Sequence, residues 1–189
     1  MIDPTTGQLT LDYAPNANGS STITVQATDT GGLSVSQTFI VDVAAVNDDP
    51  VATGTTLATD EDTPVEIDLR TLVDDIETAD DDLVFSVSGA VNGTVELLAN
   101  GYTARFTPGA NYNGLASFHY DVTDTGDGSA AAITSAPQTI DVTVAAVNDD
   151  PVATGTTLST DEDTPVEIDL RTLVDDVETA DDDLVFNVS

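Results

Sequence analysis

The sequence predicts an all-β chain of tandem seven-stranded Greek-key sandwiches, one complete and two partial. Three observations predict it: short runs in which apolar and polar residues alternate, turn dipeptides between those runs, and a long repeat with the period of one sandwich domain.

The alternation comes first. Val65, Ile67 and Leu69 form one such run; Leu83, Phe85 and Val87 a second; Val95 and Leu97 a third. Phe118, Tyr120 and Val122 follow, and then Ile140, Val142 and Val144. Successive strand side chains point to opposite faces, so a period of two marks strands with one face buried. No long stretch has a helical period. Asn100-Gly101 joins two runs and predicts a type I′ hairpin, while Asn92-Gly93 and Asn113-Gly114 mark further turns. Seven short strands in roughly 100 residues are the pattern of an immunoglobulin-like sandwich. Near the N-terminus, Ile23, Val25 and Ala27 match Phe118, Tyr120 and Val122, and Phe39, Val41 and Val43 match Ile140, Val142 and Val144.

The repeat sets the organisation. Residues 44–88 recur at 145–189 with three differences among 45 positions: Ala58 against Ser159, Ile76 against Val177, Ser86 against Asn187. So long a period suits an array of separate sandwiches rather than a solenoid. Each junction carries Val-Asn-Asp-Asp-Pro-Val, at Val46–Val51 and Val147–Val152, where proline ends a strand and stiffens the joint. The parse is residues 1–46 as the back half of one domain, 47–147 as a complete domain and 148–189 as the front half of the next.

Composition narrows the function. Asp and Glu total 35 against three arginines and no lysine, a formal net charge of −32 over 189 residues. Such a surface repels nucleic acid and anionic membranes, attracts cations, and opposes its own compaction unless it is neutralised. Bound divalent metal is one neutraliser; a salty habitat is another. Without cysteine, no disulfide staples the domains. No apolar run approaches the roughly 20 residues of a membrane helix. Met1 stands directly before mid-domain sequence and reads as an added start, with an export signal expected elsewhere.

Catalytic patterns are weak. His119 lies between Phe118 and Tyr120 and faces outward, with no second histidine or cysteine for a metal. Serine and threonine have no visible base, and paired carboxylates repeat at identical spacing, which argues for architecture rather than glycoside hydrolysis. Tyr102, Tyr112 and Tyr120 leave a sugar-binding patch as an alternative. The chain is therefore read as not an enzyme.

Several motifs resemble the cadherin-like and bacterial Ig-like tandem repeats of giant RTX-type adhesins. Ile2-Asp3-Pro4-Thr5-Thr6-Gly7-Gln8-Leu9 looks like the cadherin I-D-x-x-T-G-x-L stretch, Val25-Gln26-Ala27-Thr28-Asp29 like V-x-A-x-D, and Val46-Asn47-Asp48-Asp49-Pro50 like the D-x-N-D-N-x-P linker. The cadherin L-D-R-E motif is missing. The complete domain is similar to the bacterial Ig-like variety, through Asp60-Glu61-Asp62-Thr63-Pro64, Asn92-Gly93-Thr94-Val95 and Phe106-Thr107-Pro108.

The resemblance implies calcium (Ca2+) at the joints, drawn from the upstream acidic turn, the linker and the downstream acidic loop with its strand-end aspartate. Carried onto this sequence, the first joint takes Asn47, Asp48, Asp49, Asp74, Asp75, Glu77 and Asp124. The second takes Glu61, Asp62, Asn148, Asp149, Asp150, Asp175, Asp176 and Glu178. The first lacks an upstream glutamate and the second a strand-end aspartate. Asp80, Asp81 and Asp82 form a further acidic run that is either a ligand set or a charged loop edge. The implied function is a calcium-stiffened stalk of a bacterial cell-surface adhesin, extracellular, with neighbouring repeats as partners. The alternative is a carbohydrate- or cell-surface-binding module. The two complementary half-domains also raise the expectation of head-to-tail self-association.

Overall fold

Phe118, Tyr120, Val122, Ile140 and Val142 are all fully buried, and the sandwich is built around them. The structure, a computed structural model, describes residues 1–128 and 130–187. Its strands are β1 (Gly19–Thr28), β2 (Ser34–Val43), β3 (Val51–Ala52), β4 (Thr55–Asp60), β5 (Val65–Asp68), β6 (Val73–Asp74) and β7 (Val84–Val91). They continue with β8 (Gly93–Leu97), β9 (Thr103–Pro108), β10 (Gly114–Thr123), β11 (Gln138–Ala145), β12 (Val152–Ala153) and β13 (Val174–Asp175).

One sheet has the order β4-β11-β10-β7 and faces a second with the order β5-β9-β8. Only β4 and β11 pair in parallel; the other pairs are antiparallel. Along β10 and β11 the buried residues alternate, as the sequence predicts. Phe106 from one sheet stacks on Phe118 from the other, with ring centroids 5.9 Å apart and planes 11° from parallel. Leu69, which ends a predicted strand run, instead opens a 3-10 turn over Leu69–Leu72 and is still fully buried.

Two turns differ from simple hairpins. The type I′ reading of Asn100-Gly101 is wrong, because only Gly101 has positive φ, at 81°. Leu98 N–H bonds the Thr103 carbonyl and Gly101 N–H the Leu98 carbonyl, so the loop is longer and is built around a type I turn. The Asn100 side chain accepts N–H bonds from Tyr102 and Thr103, which keeps asparagine useful there. At Asn92 (φ 59°) the chain leaves one sheet for the other. A Cβ on Gly93 would lie 2.4 Å from the Phe106 ring, so this crossing requires glycine.

The outlying pieces separate local from non-local structure. Strands β1 and β2 pair Ile23 with Phe39 and Gly19 with Val43, the register in which β10 and β11 pair Phe118 with Ile140 and Gly114 with Val144. No sandwich covers this hairpin: Phe39 is 41% exposed where Ile140 is 0%. Residues 148–187 repeat 47–86 nearly letter for letter, yet only part of the structure recurs. The β12–β13 ribbon copies β3–β6, and the Leu170–Leu173 turn copies Leu69–Leu72. The counterparts of β4 and β5 are irregular and pair with no strand among the described residues.

The buried hydroxyl of Tyr120 fastens the β3–β6 ribbon to the core. It donates to the Thr53 carbonyl at 2.8 Å and accepts from Thr53 N–H at 3.2 Å. Tyr120→Phe is expected to lower unfolding free energy by about 1–3 kcal/mol, read from urea denaturation; an unchanged midpoint would contradict this role.

Candidate metal centres at the joints

The Val-Asn-Asp-Asp-Pro junction follows β2 at the first joint and β11 at the second, as chain without regular structure. At the first joint Asn47 is buried and its amide donates to Asp124 at 2.7 Å. Asp124, at the end of β10, is also buried and accepts from Gly126 N–H at 2.8 Å and Ile133 N–H at 2.9 Å. Burial pushes its carboxyl upward, but the bonds from Ile133, Asn47 and Gly126 outweigh this and hold it below the usual range. Asp75 accepts from Glu77 and Thr78 N–H groups, and Glu77 reaches back to Asp48 N–H at 3.2 Å. Burial lifts the Glu77 carboxyl above its usual value, and the charges of Asp48 and Asp75 add to the rise against the Asp48 N–H bond.

The second joint copies half of this and adds the upstream turn. Asp149 N–H donates to Glu178, and Asp176 accepts from Glu178 and Thr179. Glu61, buried at the end of β4, accepts from Val147 N–H at 2.5 Å. Asp62, at φ 56°, accepts from Asn111 N–H at 3.0 Å. The Asp149 carboxyl is raised first by burial and then by the charges of Glu178, Asp62 and Glu61. Charges of the upstream turn and of the downstream loop both act on Asp149.

Other expected ligands stand apart. Asp49, Asp74, Asp150 and Asp175 are exposed, and Asn148 donates only to the neighbouring Asp149 carbonyl. Among the described residues, no group of three or more His, Cys, Asp or Glu side chains closes into a metal-holding cluster. Asp124, Asp75, Glu77 and Glu61 accept from peptide N–H groups.

Among the described residues, four buried side-chain atoms have no hydrogen-bond partner: Asn47 Oδ1, Glu61 Oε2, Asp75 Oδ2 and Asp149 Oδ2. All four are oxygen acceptors, and all four lie at the joints. Buried acceptors without donors are rare and costly. No arginine serves them. Arg105 pairs with Glu66 and Glu96; Arg70 with Asp68 and Asp81; Arg171 with Asp169 and Asp182. A donor set made only of carboxylate and amide oxygens suits calcium rather than zinc or copper.

Sequence reasoning missed two supports of the first joint. Thr78 is buried and bonds Thr125, behind the Asp75 and Asp124 loops, and Asn18 bonds Asp127 at 3.2 Å across the junction. An acidic run draws attention to its carboxylates and not to the small polar residues behind them. The Asp80–Asp82 run is explained in part by Arg70, which pairs with Asp81 and lies 3.5 Å over the Tyr102 ring.

Residues 47–143, just over half of the chain, match the family model described as bacterial Ig domain. The chain belongs to the bacterial Ig domain family. No curated protein matches it. Among solved structures, human protocadherin-24 EC1-2 is 19% identical, with 78% of this chain and 76% of that one covered and a TM-score of 0.48. Human mucin-like protocadherin EC1-2 is 22% identical over 75% and 76%, with a TM-score of 0.49. An endo-fucoidan hydrolase of glycoside hydrolase family 107 is 18% identical over 68% of this chain and 22% of its own, with a TM-score of 0.36.

The Arg70–Asp68 pair gives a pH test away from the joints. Hydrogen bonds from the guanidinium hold the Asp68 carboxyl below its ordinary 3.8. A depressed folded value means stabilisation that is present above the unfolded value and lost as pH falls through the folded one. Arg70→Met is expected to destabilise the domain at neutral pH and to flatten the fall in melting temperature on acidification. An unchanged acid slope would contradict the pair's contribution.

Proposed function

We propose that this chain is a segment of an extracellular bacterial stalk whose joints are stiffened by calcium, in the manner of an adhesin extender. The observation that carries the reading is the placement of the partnerless buried oxygens, all of them at the joints of a chain with 35 acidic residues and three arginines. At the second joint Glu61, Asp62, Asp149 and Glu178 would hold the ion; at the first, Asn47, Asp48, Asp75, Glu77 and Asp124 would do so. Bound calcium would supply the positive charge that these sites lack.

Magnitude favours a mechanical role. Extracellular calcium modules bind at about 0.1–1 mM. At about 100 times its dissociation constant an ion adds about 2.7 kcal/mol, against the roughly 5–15 kcal/mol of a whole domain. Residues from both sides of a short proline-stiffened linker would then be tied together, which removes bending freedom.

Millimolar calcium is expected to raise the melting temperature by several degrees over EGTA, while sodium chloride of equal ionic strength does not. Equal gains from both salts would reduce the acidic surface to simple charge screening. Glu61→Gln keeps an acceptor for Val147 N–H but removes a charge, and is expected to shrink the calcium-dependent gain; a full gain in this variant would exclude Glu61 as a ligand.

A further inference from the structure

We propose that β7 is a docking edge, and that an extended basic segment of a partner protein adds to the four-stranded sheet beside it, with apolar and cationic side chains by turns.

The edge is open. β7 pairs with β10 on one side and, among the described residues, with no strand on the other. Val122 shows which of its peptide groups are free. Val122 N–H donates to Ser135 Oγ at 3.2 Å, and its carbonyl accepts from Ser135 N–H at 2.9 Å, on the side of β10 away from β7. Val122 stands opposite Phe85. In an antiparallel ladder the two residues of a pair either exchange both bonds or both turn away. Phe85 therefore directs its N–H and carbonyl outward, and Val87, two residues on, does the same. Among the described residues, the backbone of Val84–Val91 makes no bond outside the ladder with β10. At Gly89, φ 63°, a bulge ends the regular run, so the open stretch is residues 84–88.

The edge is also undefended. Sheet edges are ordinarily blunted by charge or proline. The other three edge strands follow that rule: β4 carries Asp60, β5 carries Glu66 and Asp68, and β8 carries Glu96. Residues 83–95 hold no charge and no proline, in a chain where 20% of residues are charged.

Charge selects the occupant. Asp80, Asp81 and Asp82 are exposed just before β7, and among the described residues only Asp81 of the three has an arginine. Asp121 lies beside the edge and accepts from the Ser86 hydroxyl at 2.8 Å. A second copy would bring its own net charge of −32, whereas a basic strand meets carboxylates of opposite sign. Strand addition draws affinity from the main chain and specificity from alternate side chains. Apolar side chains on the face shared with Phe85 and Val87 would cover the rim of the core. Those on the face of Val84 and Ser86 would carry lysine or arginine towards Asp121 and residues 80–82. No joint residue takes part, so the docking is independent of the calcium reading.

The probe is a blocked heptapeptide of alternating lysine and valine, compared with the same peptide carrying glutamate for lysine. Amide hydrogen exchange of the full chain, followed by NMR in calcium and in EGTA, reads the contact. The lysine peptide is expected to slow exchange at Phe85 and Val87 in both conditions, and the glutamate peptide to leave both amides unchanged. Val87→Pro keeps every charge but removes one outward N–H, and is expected to weaken the lysine peptide about tenfold. Ser86→Lys leaves the backbone edge intact and repels the peptide, and it decides the matter if the proline variant melts early. No binding, binding that leaves the two amides unprotected, or equal affinity for a folded variant would overturn the proposal. Slow exchange at both amides without peptide, at twice the 19.5 kDa mass, would give the edge to a second copy and overturn it as well.

Discussion

Buried acceptor oxygens with no donor within reach are the constraint on which the rest of this structure turns. The three arginines are each tied to carboxylates away from the joints, so no arginine is left for the ends of the sandwich. Peptide N–H groups absorb part of the deficit, at Asp124, Asp75 and Glu77. They do not reach Asn47 Oδ1, Glu61 Oε2, Asp75 Oδ2 or Asp149 Oδ2. Burial and like charge then work together, which is why the carboxyls of Glu77 and Asp149 rise above their usual range. A divalent cation at these oxygens would relieve both strains at once.

Much of the fold was legible in the sequence because strand burial has a fixed period. Phe118, Tyr120 and Val122, with Ile140 and Val142, lie fully buried where alternation put them. Turn chemistry was less legible. Asn100-Gly101 carries a type I′ signal, but the loop length between β8 and β9 was set by their register, and register is a property of two strands rather than of a dipeptide. Leu69 was read as strand since its burial fits a period of two, though a 3-10 turn buries it equally well.

At the candidate joints, sequence located the carboxylates and not their environment. Which oxygen of Asp75 faces a donor depends on Thr78 and on the loop after β10, far away in the chain. Asp49 and Asp74 look like their neighbours on the page, yet both are exposed. The near-identical copies show the same division physically. Ribbon, 3-10 turn and the loops Asp75–Thr78 and Asp176–Thr179 form in both because their bonds are local. The counterparts of β4 and β5 stay irregular because strand pairing needs a partner from elsewhere.

The most direct measurement is the electron density of crystals grown in abundant calcium. The account predicts an ion at each joint, with Glu61 Oε2 and Asp149 Oδ2 turned onto one and Asp75 Oδ2 with Asn47 Oδ1 onto the other, at about 2.3–2.6 Å. Water at those oxygens, with the joints bent differently from copy to copy, would contradict it.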